Sequence, residues 1–350
     1  MAGQAIEPVC ERSTQTRLGH GFYQTHCLRA EAITATARAV AEFAAAARGM
    51  QAVAIRVFAT SATREAANRE ELTAAIEQAS GLRVEVISGE QEADWGFQGV
   101  TTDPEFRQGL LLLLDVGGGS TQLAFGRAGH KPFHQSFPLG TVRLSETIPC
   151  SDPPTPGQFS SCRKWLRDFL QQEVRPQFGV DRRVDQGLVS LAAPGSGEGS
   201  PETEAMRAAP LHRGETCDIQ PPTSNIQWAP AGQSLDAGCS RVSWKDVKLV
   251  GVGGTGTILG CMEAGLKSFD RARIEGIRLS VARVAWHLER VWSLPLEQRK
   301  NISGLPRNRA DVILMGVAIY HAVMEEFRFA ELRISTRGLR FAALLREKSE

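Results

Sequence analysis

The chain has 350 residues, of which 42% are hydrophobic and 23% charged, a composition typical of a soluble globular protein with room for two domains. The formal net charge of +1 excludes a general electrostatic attraction to nucleic acid or to an anionic membrane. The longest purely apolar run, residues 110–114, is too short to span a bilayer. The N-terminus lacks the pattern of a signal peptide and the seven cysteines form no CxxC pair, so we expect a cytoplasmic protein without a structural zinc site.

The first part of the chain alternates helix and strand. Apolar residues recur at helical spacing over 29–48, and the compact apolar run 53–58 predicts a strand. A second helix is predicted over about 62–79 and a second strand over 84–87. Strands that alternate with helices indicate a largely parallel sheet covered by helices. We interpret residues 1–109 as a first lobe.

The second lobe, residues 110–350, is predicted to open with a β-meander. The leucine strand 110–114 leads through a glycine turn into a strand over 121–125 and an extended stretch that ends at Pro138. Apolar periodicity predicts the remaining elements of this lobe. They are a strand over 248–252 and helices over about 157–174, 272–292, 310–327 and 336–347.

Residues 181–245 interrupt this pattern. Stretches such as APGSGEGSPETEAM are rich in Pro, Gly and Ser and show no periodicity. The segment is too long for an ordinary connection within a compact domain. We interpret it as a flexible insertion on the surface of the second lobe.

The most specific motif is LLLLLDVGGGSTQLAFG, residues 110–126. Glycines without Cβ atoms let phosphate oxygens approach backbone N–H groups, and hydroxyl groups add further donors. Asp115 ends the buried strand, where its carboxylate can hold a hydrated Mg²⁺. A glycine-rich hairpin turn with a solvated aspartate is the alternative, although a two-residue turn does not need three glycines. The phosphate-binding candidates here are Gly117, Gly118, Gly119, Ser120 and Thr121.

A second turn, LVGVGGTGTILG at 249–260, repeats this design before a helix. Its phosphate-facing candidates are Gly253, Gly254 and Thr255. Close packing of strand and helix explains such glycines equally well when the turn is considered alone. No GK[ST] follows, so the turn is not a Walker loop.

Two charged residues of the first lobe are further candidates. Glu92 lies in ISGEQEADWGF, near the start of a predicted helix, where acidic residues also favour the helix dipole. Arg64 lies in FATSATREAANREEL, where Ser61 or Thr63 is predicted to cap a helix. An arginine in a first helical turn opposes the dipole, which indicates an anion clamp, and an exposed surface arginine is the alternative.

Eight segments occur in the following order along the chain: RLGHGF, ATSATREAAN, VISGEQEA, LDVGGGSTQL, SFPLGTVRLSE, GVGGT, RADVILMG and ISTRGLRFAAL. Together they resemble the exopolyphosphatase and guanosine pentaphosphate phosphohydrolase (Ppx/GppA) family. The resemblance implies an α/β chain with the two-lobed actin-like fold shared by sugar kinases and Hsp70, related to ribonuclease H, with a cleft between the lobes.

The resemblance also implies roles for individual residues. Glu92 is implied as the general base that activates water, Asp115 as the metal-site aspartate and Arg64 as a cleft arginine. The implied reaction is hydrolysis of a terminal phosphoanhydride bond with Mg²⁺ as cofactor.

Two departures from the family pattern affect these expectations. Gln122 stands where the family has glutamate, so it can orient a water molecule but cannot act as a base. The family also begins with a strand, a D-x-G-S/T-N-S loop and a second strand, whereas Gln4–Arg12 is already predicted to be the third strand. Either the start codon is assigned too far downstream or the first phosphate loop is missing. The first interpretation is favoured because the loss of two central strands would expose apolar sheet edges.

Three functional hypotheses follow from the sequence. The leading one is a hydrolase of polyphosphate or guanosine pentaphosphate, two substrates between which the sequence does not decide. The second is a catalytically impaired protein that binds polyphosphate or the alarmone in the same cleft. The third, an actin-like ATPase or sugar kinase, is disfavoured. No specific nucleic-acid or membrane partner is expected, and a homodimer is left open.

Overall fold

The structure is a computed structural model that describes residues 6–130, 133–178 and 246–345, and also the strand pair 188–189 and 242–243. The strands are β1 (Val57–Ala59), β2 (Val84–Val86), β3 (Leu110–Val116), β4 (Thr121–Gly126), β5 (Phe133–Phe137), β6 (Leu188–Val189), β7 (Val242–Ser243), β8 (Val247–Val252), β9 (Arg278–Ser280) and β10 (Glu331–Ile334).

The helices surround these strands. Those before β8 are α1 (Phe22–Thr25), α2 (Ala30–Gly49), α3 (Ser61–Glu65), α4 (Arg69–Ser80), α5 (Gly89–Val100), α6 (Pro104–Arg107), α7 (Thr141–Thr147) and α8 (Pro156–Phe169), which continues as a π-helical turn (Leu170–Val174) and a 3₁₀ turn (Arg175–Phe178). Those after β8 are α9 (Gly253–Glu263), α10 (Arg271–Ile274), α11 (Val281–Ser293), α12 (Leu296–Arg299), a 3₁₀ turn (Arg307–Arg309), α13 (Ile313–Glu326) and α14 (Leu339–Leu345).

A six-stranded mixed sheet organises the larger part of the molecule, with the order β5-β4-β3-β8-β10-β9. Strands β3, β4 and β5 pair antiparallel in sequence order, so the predicted β-meander is confirmed. Strands β3, β8 and β10 run parallel, and β9 closes the edge antiparallel to β10. Strands β1 and β2 form a separate parallel pair, and β6 pairs antiparallel with β7.

The leucine run of β3 is buried because both faces of the sheet are covered. Leu112 and Leu114 join the main core cluster, which includes residues of α8, α11 and α13. Leu111 and Leu113 face the other way, against Phe97 of α5. A strand buried on both faces reads as a continuous apolar run rather than an alternating one, which explains this stretch of sequence.

Three predicted elements are shorter or more broken than the sequence indicated. The helix expected over 62–79 is divided into α3 and α4, because Asn68 leaves the helical pattern to hydrogen-bond both backbone groups of Leu28, at 2.8 and 3.0 Å. In place of the strand expected over 53–58 the structure has the shorter β1, whose one partner among the described strands is β2.

The prediction of one continuous helix over 272–292 was also wrong for the first half of that range. Gly276 has a positive φ of 77°, its N–H donates to the carbonyl oxygen of Ile334 at 2.9 Å, and β9 follows directly. The regular helix therefore begins only at Val281.

Residues 6–12, within the predicted strand Gln4–Arg12, form no strand in the structure. Glu11 instead pairs with Arg271, at 2.5 Å, and with Arg340. The expected insertion at 181–245 lies outside the described residues except for the strand pair β6–β7.

The division of the chain at residue 109 stays a prediction. Helix α5 precedes that boundary, yet Ala93, Phe97 and Val100 pack on the six-stranded sheet of the second part. In the described part of the chain, no helix has the length and apolar character that crossing a membrane would require.

Tyr320 of α13 holds the carboxyl ends of two central strands. Its fully buried hydroxyl oxygen lies 3.1 Å from the carbonyl oxygens of both Leu114 and Val252. A Cβ atom on Gly251 would lie 2.8 Å from the Tyr320 ring, so that glycine makes room for the tyrosine. The contact fixes the ends of β3 and β8, which carry the two glycine turns.

We expect Tyr320→Phe to lower the free energy of unfolding by about 1–2 kcal/mol, because a buried carbonyl oxygen loses its donor. Chemical denaturation measures this change. The control is Trp286→Phe, which alters an aromatic side chain that is 43% exposed. A Tyr320→Phe protein as stable as the parent would show that the hydroxyl contributes nothing to the strand ends.

Candidate active site

The two glycine turns of the sequence lie side by side because their strands do. Strands β3 and β8 are parallel neighbours, with Asp115 opposite Val252. Parallel strands end at the same edge of a sheet, so the turn after β3 and the turn after β8 meet there. The predicted phosphate loops thus form one surface.

The backbone N–H groups of the first turn point away from α7, because α7 binds the carbonyl groups of that turn. The carbonyl oxygen of Gly117 accepts from the N–H of Thr141 at 2.9 Å, and that of Gly118 accepts from Val142 at 2.8 Å. In a trans peptide the N–H points opposite to the carbonyl. The N–H groups of Gly118 and Gly119 therefore point away from α7, and they have no acceptor among the residues that the structure describes. Such an arrangement binds anions.

The second turn is the N-terminus of α9, whose first N–H groups have no intrahelical acceptor and carry the positive end of the helix dipole. Gly253 has a φ of 72°, and a Cβ atom there would lie 2.0 Å from Oδ1 of Asp115. Gly253 thus leaves space for the Asp115 carboxylate. A Cβ atom on Gly254 would meet nothing within 4 Å, so that glycine faces open space.

Two of the predicted hydroxyl donors are engaged inside the protein. Thr121 donates to the carbonyl oxygen of Leu139 at 2.5 Å, and Thr255 donates to that of Val116 at 2.7 Å. Phosphate binding by Thr121 stays a prediction, and its hydroxyl proton is already used in the bond to Leu139. The buried Thr255 hydroxyl likewise bonds within the protein, to the end of β3. The oxygen of Ser120 accepts a hydrogen bond from Gln122, so the hydroxyl proton of Ser120 stays available as a donor.

Asp115 is half-buried, and burial raises the pKa of its carboxyl group to about 6. It has no ion-pair or hydrogen-bond partner for its carboxylate within the described parts of the chain. No group of three or more His, Cys, Asp and Glu side chains in those parts is placed to hold a metal ion. Mg²⁺ needs no such group, because it commonly binds one or two carboxylates together with water and substrate phosphates. An unpaired carboxylate beside anion-binding N–H groups fits that requirement.

Glu92 lies in the first turn of α5, which Ser88 and Gln91 begin with a reciprocal capping box. Only 12% of its side chain is exposed. The pKa of Glu92 is raised to about 7: burial and the nearby Asp115 carboxylate raise it, and Arg64 and a hydrogen bond from the Thr60 hydroxyl oppose the rise. A carboxylate with a pKa near neutrality is suited to accept a proton from water.

Arg64 lies beside Glu92 but for a different reason than the sequence suggested. Its Nη1 donates to the carbonyl oxygen of Ile87 at 2.9 Å and lies 3.4 Å from Glu92 Oε2. Helix α3 ends at Glu65, so Arg64 is in its last turn and agrees with the dipole; the argument from an unfavourable dipole was wrong. Neither Ser61 nor Thr63 caps the helix through its side chain.

Gln122 lies opposite Asp115 in the β3–β4 ladder, so both side chains face the same side of the sheet. Its Nε2 donates to Ser120 Oγ at 2.7 Å and to Ser136 Oγ at 3.1 Å. Its Oε1 is buried and has no hydrogen-bond partner among the described residues. A buried acceptor of this kind is normally satisfied by a bound molecule such as water.

A cavity of about 120 Å³ adjoins both glycine turns. Arg309 lines it, and the Arg309 side chain has no hydrogen-bond or ion-pair partner among the described residues. The sequence analysis quoted RADVILMG but assigned no role to this arginine, and it also missed Thr60 and Ser136. Motif order indicated the right segments, yet only the folded chain shows which side chains point inward. The cavity is lined by Val116, Gly117, Gly118, Thr141, Gly254, Thr255, Ile258, Arg309, Val312 and Ile313.

Comparison with known proteins shows the family of this chain. The sequence profile of the Ppx/GppA phosphatase family matches residues 1–187 and 240–349, most of the chain. The chain belongs to the Ppx/GppA phosphatase family. Its actin-like α/β fold, expected from the resemblance, is confirmed by solved structures of that family.

The similarity to individual members extends along nearly the whole chain. It is 26% identical to exopolyphosphatase 2 of Mycobacterium tuberculosis over 334 residues, which cover 94% of this chain and 84% of the relative. The crystal structure of the Aquifex aeolicus family member superposes with a TM-score of 0.64 at 24% identity, covering 96% of this chain and 88% of that one. An exopolyphosphatase from Cytophaga hutchinsonii gives a TM-score of 0.69 at 18% identity, covering 94% and 85%.

Adjacent glycines of the first turn should respond differently to alanine. A Cβ atom on Gly119 would lie 1.7 Å from the Tyr23 hydroxyl oxygen, so Gly119→Ala should lower the free energy of unfolding by about 1–3 kcal/mol. A Cβ atom on Gly118 meets only Val142, at 3.5 Å, and projects from the cavity wall. Gly118→Ala should therefore change stability by less than about 0.5 kcal/mol while weakening the binding of tripolyphosphate. Denaturation and calorimetry separate the two effects; equal effects of both substitutions on stability would contradict this geometry.

Glu92→Gln should stabilise the metal-free protein at high pH. The folded-state pKa of Glu92 lies above its ordinary value, so ionisation of Glu92 costs folding free energy as pH rises from about 5 through 7. At pH 8 the variant should be more stable than the parent by about 1–3 kcal/mol, with little difference at pH 5. Denaturation in a chelator at both pH values measures this, with the exposed Glu90→Gln as the matched control. A pH-independent difference would show that the charge of Glu92 is not destabilising.

Proposed function

We propose that this protein hydrolyses the terminal phosphoanhydride bond of inorganic polyphosphate by direct attack of water. Membership of the Ppx/GppA phosphatase family supports a phosphatase, and the names of the mycobacterial and Cytophaga proteins support polyphosphate as the substrate class. The cytoplasmic location and the homodimer stay predictions.

One observation carries the proposal: a carboxylate with a pKa near 7 lies beside two turns that expose backbone N–H groups. Glu92 is close enough to Asp115 for the charge of one to raise the pKa of the other. In the proposed step, Glu92 Oε2 accepts a proton as the water oxygen attacks the terminal phosphorus. The bridging oxygen leaves with the remainder of the chain.

The other groups of the proposed site stabilise the negative charge of the substrate. The N–H groups of Gly118 and Gly119, the N-terminus of α9 and the guanidinium of Arg64 stabilise the negative charge of the phosphoryl oxygens. Arg309, at the wall of the adjoining cavity, supplies a further positive charge for the rest of the substrate. These groups are fixed by the fold before the ligand arrives, which lowers the cost of reorganisation during the reaction.

We infer that Mg²⁺ is the cofactor and that Asp115 holds it, because that carboxylate is unpaired and has a raised pKa. When bound, the ion would neutralise phosphate charge as a Lewis acid. Gln122, with its unsatisfied Oε1, is suited to orient a water molecule in the same space.

Two alternatives concern the ligand and the chemistry. Guanosine pentaphosphate presents the same terminal phosphate, so it is the second substrate to be tested. Gln122 favours the second function, a binding protein with impaired catalysis, because an amide cannot replace a carboxylate as a base. Phosphate release from each substrate, compared with binding of each, distinguishes these alternatives.

Glu92→Gln should lower the rate of phosphate release from polyphosphate by about 10²–10⁴-fold, because the general base is lost while the shape is kept. Glu90→Gln, two residues earlier and exposed, should leave the rate unchanged. A coupled phosphate assay with saturating Mg²⁺ measures both. Parent protein that binds polyphosphate but releases no phosphate would support the binding function instead, and equal rates for the parent and Glu92→Gln would remove Glu92 from the mechanism.

A further inference from the structure

A single guanidinium connects the first glycine turn with the N-terminal part of the molecule. Nε of Arg143, in α7, donates to the carbonyl oxygen of Gly119 at 2.7 Å. Its Nη2 donates to Glu65 Oε2 at 2.6 Å, and its central carbon lies 4.1 Å from the ring centroid of Tyr23. Only 17% of the Arg143 side chain is exposed, whereas 34% of the Glu65 side chain is, so the ion pair is the more exposed of these contacts.

The contact with Gly119 differs from those that hold the rest of the turn. The carbonyl groups of Gly117 and Gly118 accept from backbone N–H groups of α7, whereas that of Gly119 accepts from a side chain. Because a trans peptide is planar, fixing the Gly119 carbonyl also fixes the direction of the Ser120 N–H. Like the N–H groups of Gly118 and Gly119, this N–H points away from the α7 residue that binds the carbonyl of its peptide.

The N-terminal part also packs against this peptide, through Tyr23. Tyr23 occupies the space where Gly119 lacks a Cβ atom, and its hydroxyl is hydrogen-bonded to Ser61. The segment that carries Tyr23 is held in turn by Glu146 of α7, which accepts from the N–H of Gly21 at 2.6 Å and from that of Tyr23 at 3.2 Å. Helix α7 therefore fastens both the turn and the segment that packs against it.

We propose that Arg143 is a positioning residue that aims the Gly119–Ser120 peptide at the anionic end of the substrate. The inference rests on the proposed function and assigns one further residue to that site. Arg143 does not touch the substrate; it acts through the Gly119 carbonyl, while Glu65 and Tyr23 hold its guanidinium in place. Arginine is required because its planar fork reaches two acceptors in different directions, whereas a lysine nitrogen is a single point donor.

Four variants separate positioning from simple attachment of the two parts. Arg143→Ala removes every side-chain contact and keeps the backbone bond to Gly118, and Arg143→Lys keeps the charge but not the two-acceptor geometry. Glu65→Gln removes the ion pair and keeps the bond to Gly119. Arg163→Ala is the matched control, because Arg163 pairs with Glu325 at 3.0 Å and is 39% exposed in α8, away from the glycine turns. Thermal unfolding of each variant reports whether the fold is kept.

Two measurements are made on each variant. Calorimetry measures the binding of tripolyphosphate in a Glu92→Gln background, and phosphate release from polyphosphate measures kcat and KM with Glu92 intact. Arg143→Ala and Arg143→Lys should both weaken binding by about tenfold, the effect of one charge-assisted hydrogen bond. They should also lower kcat, while Glu65→Gln changes either quantity by less than about threefold, as expected for a partly exposed ion pair.

Two results would overturn the proposal. The first is tripolyphosphate binding by Arg143→Ala within about twofold of the parent, at the level of Arg163→Ala. The second is a loss in Glu65→Gln equal to that in Arg143→Ala, which would show that Arg143 only ties the two parts together. If the parent binds tripolyphosphate but releases no phosphate from polyphosphate, the proposed hydrolysis is wrong, and the binding test of Arg143 remains decisive. A parent that does not bind tripolyphosphate overturns both.

Discussion

Two carboxylates of low exposure, Glu92 and Asp115, share one site with a single arginine beside them. Burial raises the pKa of each, and the charge of Asp115 raises that of Glu92 further. Such an arrangement disfavours the ionised form in the free protein, and a bound cation would relieve it. The same imbalance suits Glu92 to the proposed role of base near neutral pH, so in that proposal the feature that weakens the free fold also serves the chemistry.

The scaffold around this pair brings together groups that are far apart in the chain. Pairing of β3 with β8 joins the two glycine turns, and Tyr320 fixes the ends of both strands. Helix α7 binds the carbonyl groups of the first turn, so the N–H groups of that turn point away from α7. Several glycines serve this packing as much as the ligand: Gly119 makes room for Tyr23 and Gly253 for the Asp115 carboxylate, whereas Gly118 has no such neighbour.

Errors in the sequence analysis have specific causes. Apolar periodicity continued through 62–79, but the side chain of Asn68 binds the backbone of Leu28, and this non-local contact divides the helix. The dipole argument for Arg64 as an anion clamp was wrong, because Arg64 lies in the last turn of α3, beside Glu92. Phosphate binding by Thr121 stays a prediction, although its hydroxyl proton is used in the bond to Leu139.

The amino-acid sequence by itself determined the family, the leucine strand with its glycine turn, the meander and the identity of Glu92 and Asp115 as candidates. These features are local, since they depend on apolar runs, glycine spacing and motif order. Only the tertiary structure decided which groups face one another: Thr60 on Glu92, Ser136 on Gln122, Arg309 on the cavity and Arg143 on the Gly119 carbonyl. Each of these contacts joins segments distant in sequence, and the direction of a side chain and the polarity around a carboxylate exist only after those segments have packed.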